Sequence, residues 1–173
     1  NRWMKTVKWK KEHEEQKALW SSGMDVMNND PSVSNIETDG LANTAIVSHA
    51  GKIFALEEAH APFEFDEMTL ESKGSHTFDN KLQGPVTAHP KIDPVTGELL
   101  FFGYMADGFF TDTIRYTAVS KEGKITKSEL IKAPFPSMVH DFFATQKYIV
   151  FPVFPLTGDF ERALNGKPPF AWE

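Results

Sequence analysis

From Thr44 onward, short apolar runs alternate with turn residues, the pattern of antiparallel strands. Thr44-Ala-Ile-Val-Ser-His49 and Lys52-Ile-Phe-Ala-Leu56 flank Ala50-Gly51, which predicts a strand, a tight turn and a strand. Phe63-Glu64-Phe65-Asp66 alternates, and Asp66 to Leu70 turns into a further strand. Val86-Thr87-Ala88-His89 reads as a short strand ended by Pro90, which cannot donate to a ladder. It leads through Asp93-Pro94-Val95-Thr96-Gly97 into a long apolar strand over Glu98–Tyr104. Ile114–Val119 turns at Lys121-Glu122-Gly123 into Lys124–Ile131, and Met138–Phe143 turns near Thr145-Gln146-Lys147 into Tyr148–Phe154. Residues 44–164 therefore read as an all-β meander, and residues 165–173 as a closing loop through Asn165-Gly166-Lys167-Pro168-Pro169.

The first 43 residues have a different character. Residues 1–20 contain no Gly or Pro and place Lys and Glu at helical neighbour spacing, which predicts a helix with Trp3, Val7 and Trp20 packing on a larger body. Because lysines alternate with glutamates, a packed helix fits this segment better than one lying on a membrane surface. Residues 21–43 are rich in Ser, Asn, Asp and Gly and read as loop.

Three of the predicted hairpins share a plan: a short strand with a histidine (His49, His89 or His140), a turn, then a long apolar strand. The histidines are 40 and 51 residues apart. A repeat of about 40–50 residues is the length of one four-stranded propeller blade, although a sandwich or barrel also produces regular hairpins. Composition agrees with a folded chain: 173 residues, 40% hydrophobic, with 15 Phe, 4 Trp and 3 Tyr. A formal net charge of -6 without a basic stripe argues against nucleic acid as a partner. The absence of Cys removes disulfides, thiolate catalysis and Cys-ligated metals, and fits a reducing, cytoplasmic setting. No apolar run is long enough for a membrane span, and Asn1 opens no signal-peptide pattern.

Candidate chemistry is confined to a few side chains. His13 falls in the charged helix, His60 and His76 in polar segments, and His49 beside a Gly turn, where a loop tip suits it better than a metal. His89 and His140 sit among apolar neighbours, where an imidazole needs a hydrogen-bond partner or a metal; spacing alone leaves a satisfied core histidine and a ligand both open. Glu57-Glu58 ends an apolar strand, so one of the two carboxylates should face inward, while a solvated strand end remains the alternative. A buried carboxylate there could accept a hydrogen bond from the second nitrogen of a metal-bound histidine. No HExxH, phosphate loop or GxSxG elbow occurs.

Several stretches together resemble the carotenoid cleavage oxygenase family, within it the microbial branch that includes lignostilbene dioxygenases. They are Asn43-Thr-Ala-Ile-Val-Ser-His-Ala-Gly51, Ala55-Leu-Glu-Glu58, Gly84-Pro-Val-Thr-Ala-His-Pro-Lys-Ile-Asp-Pro94, Gly97-Glu-Leu99 with Phe101-Phe-Gly-Tyr104, and Met138-Val-His-Asp-Phe142. The similarity runs from about Trp3 to Leu164. It implies a seven-bladed β-propeller holding one non-haem Fe(II) on its axis, bound by four neutral histidines and surrounded by three glutamates that orient them. His89 matches the first ligand, His140 the second, and Glu58 the first of the glutamates, accepting from a ligand ring, foremost His140. The implied reaction takes O2 and an apolar conjugated alkene (carotenoid, apocarotenoid or stilbenoid) to two carbonyl products. The many phenylalanines suit an apolar substrate tunnel, and ordinary blade packing explains them equally well.

Two departures qualify the resemblance. Stilbene-cleaving members hold the substrate phenol with a lysine directly before the first of the ligand-orienting glutamates, where this chain has Glu57, and with a tyrosine that falls near Gly23 or Met24. The remaining ligands have no counterpart before Glu173. At about 40–50 residues per blade, the chain holds three to four blades: a partial seven-bladed propeller with an N-terminal helix, expected to be inactive alone because two ligand histidines are missing. Open sheet edges predict self-association, and peripheral membrane contact is a further expectation. The competing readings are a catalytically inactive, propeller-derived binding module and, with less support from scattered acidic residues, a Ca2+-dependent propeller hydrolase.

Overall fold

The computed structural model describes residues 2–21, 29–34 and 38–173. The first sheet is a meander of β1 (Ala45–His49), β2 (Lys52–Leu56), β3 (Phe63–Phe65) and β4 (Ser72–Ser75), each antiparallel to the next. Its first turn, Ala50-Gly51, has φ of 51° and 72°, the doubly left-handed geometry that twists with the flanking strands. The second sheet repeats the plan with β5 (Lys91–Ile92), β6 (Leu99–Tyr104), β7 (Thr113–Val119) and β8 (Ile125–Lys132). Two shorter hairpins follow: β9 (Phe143–Ala144) with β10 (Ile149–Val150), and β11 (Leu156–Gly158) with β12 (Phe170–Trp172). The chain is all-β with little helix, a partial propeller of stacked antiparallel sheets.

Strand β6 shows how the sheets stack. Alternate residues of a strand face opposite sides, and both sides of β6 are buried. Leu99 and Phe101 join Phe78, Val86 and Val119 in one cluster, which also takes Val47 from β1. Leu100 and Phe102 join Ile114, Tyr116, Val139 and Phe142 in another, against which Ile149, Phe151 and Val153 pack. The second sheet is thus held between the first sheet and the hairpins that follow. Phe102 is fully buried, with ring centroids 5.2 Å from both Phe142 and Phe151.

Several element boundaries differ from the sequence reading. Helix α1 spans Val7–Glu15, not residues 1–20. The Thr6 hydroxyl accepts from the Trp9 N–H and starts it, and Gln16 in the left-handed region ends it. The Glu12 carboxylate then accepts from the Leu19 and Trp20 N–H groups at 2.9 and 3.0 Å, folding the chain back along the helix. Leu19 and Trp20 are buried, whereas Trp3 is 73% exposed and Val7 44%, so the anchors lie after the helix. Short helix α2 (Phe160–Leu164) forms within the region read as blades because Asp159 caps it through Glu161 and Arg162 N–H. Residues 170–172, read as loop, form β12 by pairing Phe170, Ala171 and Trp172 with Gly158, Thr157 and Leu156.

Two predicted strands are not strands. Val86–His89 lies between two prolines that cannot donate, and runs beside β6 held by a Thr87 N–H bond to Phe102 O at 2.6 Å. Met138–Asp141 is also irregular and follows Pro134 and Pro136. Both candidate histidines therefore sit on irregular chain pinned against a rigid sheet.

Candidate functional site

The two irregular segments meet at one end of the sheets. Val86 and Ala88 on one, and Val139 and Phe142 on the other, are each 1% exposed. With those apolar groups anchored in the cores, His89 is left half-buried and His140 exposed, facing each other. Their Nε2 atoms are 2.9 Å apart, with ring centroids at 4.5 Å and planes at 64°. The residues are 51 positions apart in sequence.

Glu58 completes the group. It is the second residue after β2, and its Oε1 lies 2.9 Å from Nδ1 of His140. A carboxylate there accepts the Nδ1 proton and leaves the Nε2 lone pair free toward His89. Burial raises the Glu58 pKa, and hydrogen bonding to His140 opposes that rise. The adjacent Glu57 takes a separate environment: its Oε1 meets Nδ1 of His60 and its Oε2 accepts from Leu41 N–H at 3.2 Å. Both carboxylates of the pair are thus half-buried and partnered, Glu57 with His60 and Glu58 with His140.

Backbone and side-chain bonds tie the two histidine segments together. The Thr87 hydroxyl, 1% exposed, accepts from His89 N–H at 3.1 Å and donates to the His140 carbonyl at 3.4 Å. Lys91 Nζ lies 2.7 Å from Asp141 Oδ1, the atom that also accepts from Phe142 N–H. Pro85, which opens the His89 segment, is set by Gly103 in β6: a Cβ there would stand 2.2 Å from Pro85 O.

The donor set fits a single cation. Two nitrogens each about 2.1 Å from one metal stand at most about 4.2 Å apart, and roughly 3 Å apart when they are neighbouring rather than opposite ligands. The observed 2.9 Å is the latter spacing, with the tautomer of His140 set by Glu58. Among the described residues no group of three or more His, Cys, Asp and Glu side chains converges in this way, so two nitrogens are all that these residues offer.

Of the other histidines, His13 is exposed and stacks on Trp9 at 4.6 Å. His49 is not a free loop tip: it is 7% exposed and its Nε2 lies 3.1 Å from Gly97 O, joining the first sheet to the second. His76 packs between Phe54 and Phe78 and meets Glu64 through Nδ1 at 3.0 Å. His60 pairs with Glu57. Sequence reading missed that pair; the spacing Glu57-x-x-His60 was its only signal. Gly23 and Met24, where a phenol-binding tyrosine would fall, lie outside the described residues.

Two clefts adjoin the site. One, of about 280 Å3, is lined by Glu58, Tyr104, Met105, Phe109, Phe110 and Phe170. The other, of about 340 Å3, contains Lys8, Trp20, Glu57 and His60. They share Glu58, Ala59, Tyr104 and Phe109. Burial, then the nearby glutamates, push the Tyr104 pKa far up, so its phenol stays protonated. Among the described residues no helix is long and apolar enough to cross a membrane.

Comparison with known proteins agrees along the whole chain. The family model described as retinal pigment epithelial membrane protein matches residues 1–173. Isoeugenol monooxygenase of Pseudomonas nitroreducens is 37% identical over 174 residues, covering 100% of this chain and 36% of that protein. Lignostilbene-alpha,beta-dioxygenase isozyme III of Sphingomonas paucimobilis is 34% identical over 173 residues, covering 99% of this chain and 35% of that protein. The crystal structure of Pseudomonas brassicacearum lignostilbene dioxygenase superposes with a TM-score of 0.92 at 39% identity, over 99% of this chain and 36% of that one. The chain thus spans little more than a third of the length of these relatives. With the family model matched from end to end and the fold shared with a solved lignostilbene dioxygenase, the chain belongs to the family of retinal pigment epithelial membrane protein, the carotenoid cleavage oxygenases.

Proposed function

We propose that this chain supplies part of the iron centre and of the substrate cleft of an oxygenase that splits a conjugated carbon–carbon double bond. One alkene and one O2 give two carbonyl products. The observation that carries the reading is the convergence of the His89 and His140 Nε2 atoms at 2.9 Å, with Glu58 behind His140. His89 and His140 would hold Fe(II), which supplies O2 binding and redox chemistry when bound. Neutral imidazoles leave the cation its full charge. Glu58 keeps the Nδ1 proton of His140 in place, so that the lone pair faces inward and the ring cannot turn. Thr87 and the Lys91–Asp141 pair hold the two segments in register. The apolar cleft of Tyr104, Met105, Phe109, Phe110 and Phe170 excludes water and lays a flat conjugated substrate beside Glu58. The names of the relatives, isoeugenol monooxygenase and lignostilbene dioxygenase, favour an aryl-substituted alkene of modest size.

The other two histidine ligands of the resemblance are assigned to polypeptide beyond these 173 residues, in keeping with the share of each relative that the chain covers. The chain alone is then inactive. The test is iron content and O2-dependent aldehyde formation, measured on this chain and on a version extended past Glu173. Iron and aldehyde in the extended form alone support the proposal; no iron in either form overturns it in favour of a propeller-derived binding module.

A further inference from the structure

Strand β8 is the outer edge of the second sheet, bonded to β7 on one side only. Among the described residues its backbone makes no backbone hydrogen bond beyond that ladder, so its outward N–H and C=O groups lie open. Every residue of Thr126–Lys132 is exposed, Leu130 at 45% and Ile131 at 36%. Such an edge is a template for another strand, and lysine on it normally repels one. The order of the side chains decides which strand is repelled and which is accepted. Ile125, Lys127, Glu129 and Ile131 share one face of β8 and read apolar, basic, acidic, apolar. In a two-fold antiparallel pair the axis is perpendicular to the sheet and keeps each side chain on its own face, so the axis passes through a residue. With the axis at Ser128, Lys127 faces Glu129 of a second copy, Glu129 faces its Lys127, and Ile125 and Ile131 face each other. Moved by one residue, to Lys127 or Glu129, the axis sets two like charges together. At the ends Lys124 would oppose Lys132, whose charge is already matched by Asp112 at 3.4 Å. Within one chain Lys127 and Glu129 are 3.2 Å apart with side chains 50% and 57% exposed, so both are free to turn to a facing partner.

We propose that β8 is a docking edge for a second copy of the protein: two β8 strands pair antiparallel about Ser128 and join their second sheets into one continuous sheet. Charge complementarity singles out this partner, because the edge is its own complement in this register and meets like charges when the axis shifts by one residue. The inference does not depend on the alkene-cleaving function proposed above. In the sheet order β7 separates β8 from β6, and no residue of β8 lines either cleft, so pairing leaves the histidine pair and both clefts open. A ladder over Ile125–Ile131 with two facing ion pairs and only isoleucines as apolar contact gives a weak, salt-sensitive dimer.

The test is analytical ultracentrifugation over a concentration series, on the form extended past Glu173, with Lys127→Glu, Glu129→Lys and the double exchange as variants. Both positions are exposed, so the substitutions should leave the fold intact, which circular dichroism checks. The wild type should form a dimer that dissociates as salt is raised. Either single substitution sets like charges together at both facing pairs and should weaken the dimer by about tenfold or more. The double exchange restores opposite charges and should dimerise as the wild type does. The two single variants mixed should form a heterodimer, since Lys127→Glu presents two acids and Glu129→Lys two bases. A wild type that stays monomeric up to about 1 mM overturns the docking edge. A dimer indifferent to both single substitutions, or a mixture that associates no more tightly than its components, overturns it as well.

Discussion

Gly103→Ala links the fold to the metal centre most sharply. Gly103 is buried in β6 and pairs with Arg115. Its φ is not in the left-handed region, so the backbone tolerates alanine and only the space is at issue. A Cβ there would lie 2.2 Å from Pro85 O, 2.6 Å from Pro85 Cγ and 2.7 Å from Pro85 C. Contacts of that kind need more than 3 Å, so β6 and the Pro85 segment must separate by roughly 1 Å. Because the obstructing atoms are backbone, no rotamer change relieves the clash. Overpacking of a buried site costs about 1–3 kcal/mol, and this case belongs at the upper end, reduced by less than about 1 kcal/mol from the lower chain entropy of alanine. At about 2–4 °C per kcal/mol for a chain of this size, the loss corresponds to a fall in Tm of about 4–12 °C. Displacement of Pro85 also strains the Thr87 N–H bond to Phe102 O, two residues before His89, and so should weaken Fe(II) binding by about tenfold or more. Urea denaturation of the chain and anaerobic Fe(II) titration of the form extended past Glu173 measure the two effects. A variant as stable as the wild type to within about 0.5 kcal/mol, with unchanged Fe(II) affinity, would refute the reasoning.

Further outcomes follow from neighbouring parts of the structure. Thr87→Val, nearly isosteric, leaves His89 N–H without its acceptor and should cost about 1–3 kcal/mol together with metal affinity; urea denaturation showing no loss contradicts the proposed clamp. Phe102→Ala opens a hole between Phe142 and Phe151 and should cost about 3–5 kcal/mol, read as a lower urea midpoint. Acid should destabilise the first sheet in two stages. The His76 pKa is lowered, by burial first and then by Lys52, so its contribution is present above the ordinary value of 6.5 and lost as pH falls toward the folded-state value. The Glu64 pKa is also lowered, since Lys52, His76 and Lys73 outweigh its burial, and its contribution is lost at pH values below 4.5. His76→Phe retains the aromatic packing on Phe54 and Phe78 and should remove the upper stage from a stability profile against pH; a profile parallel to wild type between pH 7 and 5 contradicts this.

The hairpins were legible where alternation and turn residues agree, as in β1–β2 around Ala50-Gly51 and in β6 to β8. Where the pattern misled, a long-range or cap interaction decided the outcome. Val86-Thr-Ala-His89 has the composition of a strand, but Pro85 and Pro90 deny it a ladder and Gly103 fixes its path instead. Helix α1 is shorter than its charge pattern because a threonine cap and a left-handed glutamine end it. Strand β12 lies directly after two prolines and exists only through pairing with β11. At the site, His89, His140 and the Glu57-Glu58 pair stood out from their local surroundings, but only the resemblance joined them in one centre, because contacts across 51 and 82 positions leave no local pattern. The Glu57–His60 pair escaped notice because its partners, Gly40 and Leu41, come from a loop whose packing the sequence does not encode locally.

The central claim is that His89 and His140 share one cation. Crystals of the form extended past Glu173, prepared anaerobically with Fe(II) and measured at the iron absorption edge, test it directly. The account predicts one anomalous peak about 2.1 Å from the Nε2 atoms of both histidines, with Glu58 still bonded to His140 Nδ1. No peak between the two rings, or iron bound elsewhere with the rings turned apart, would contradict it.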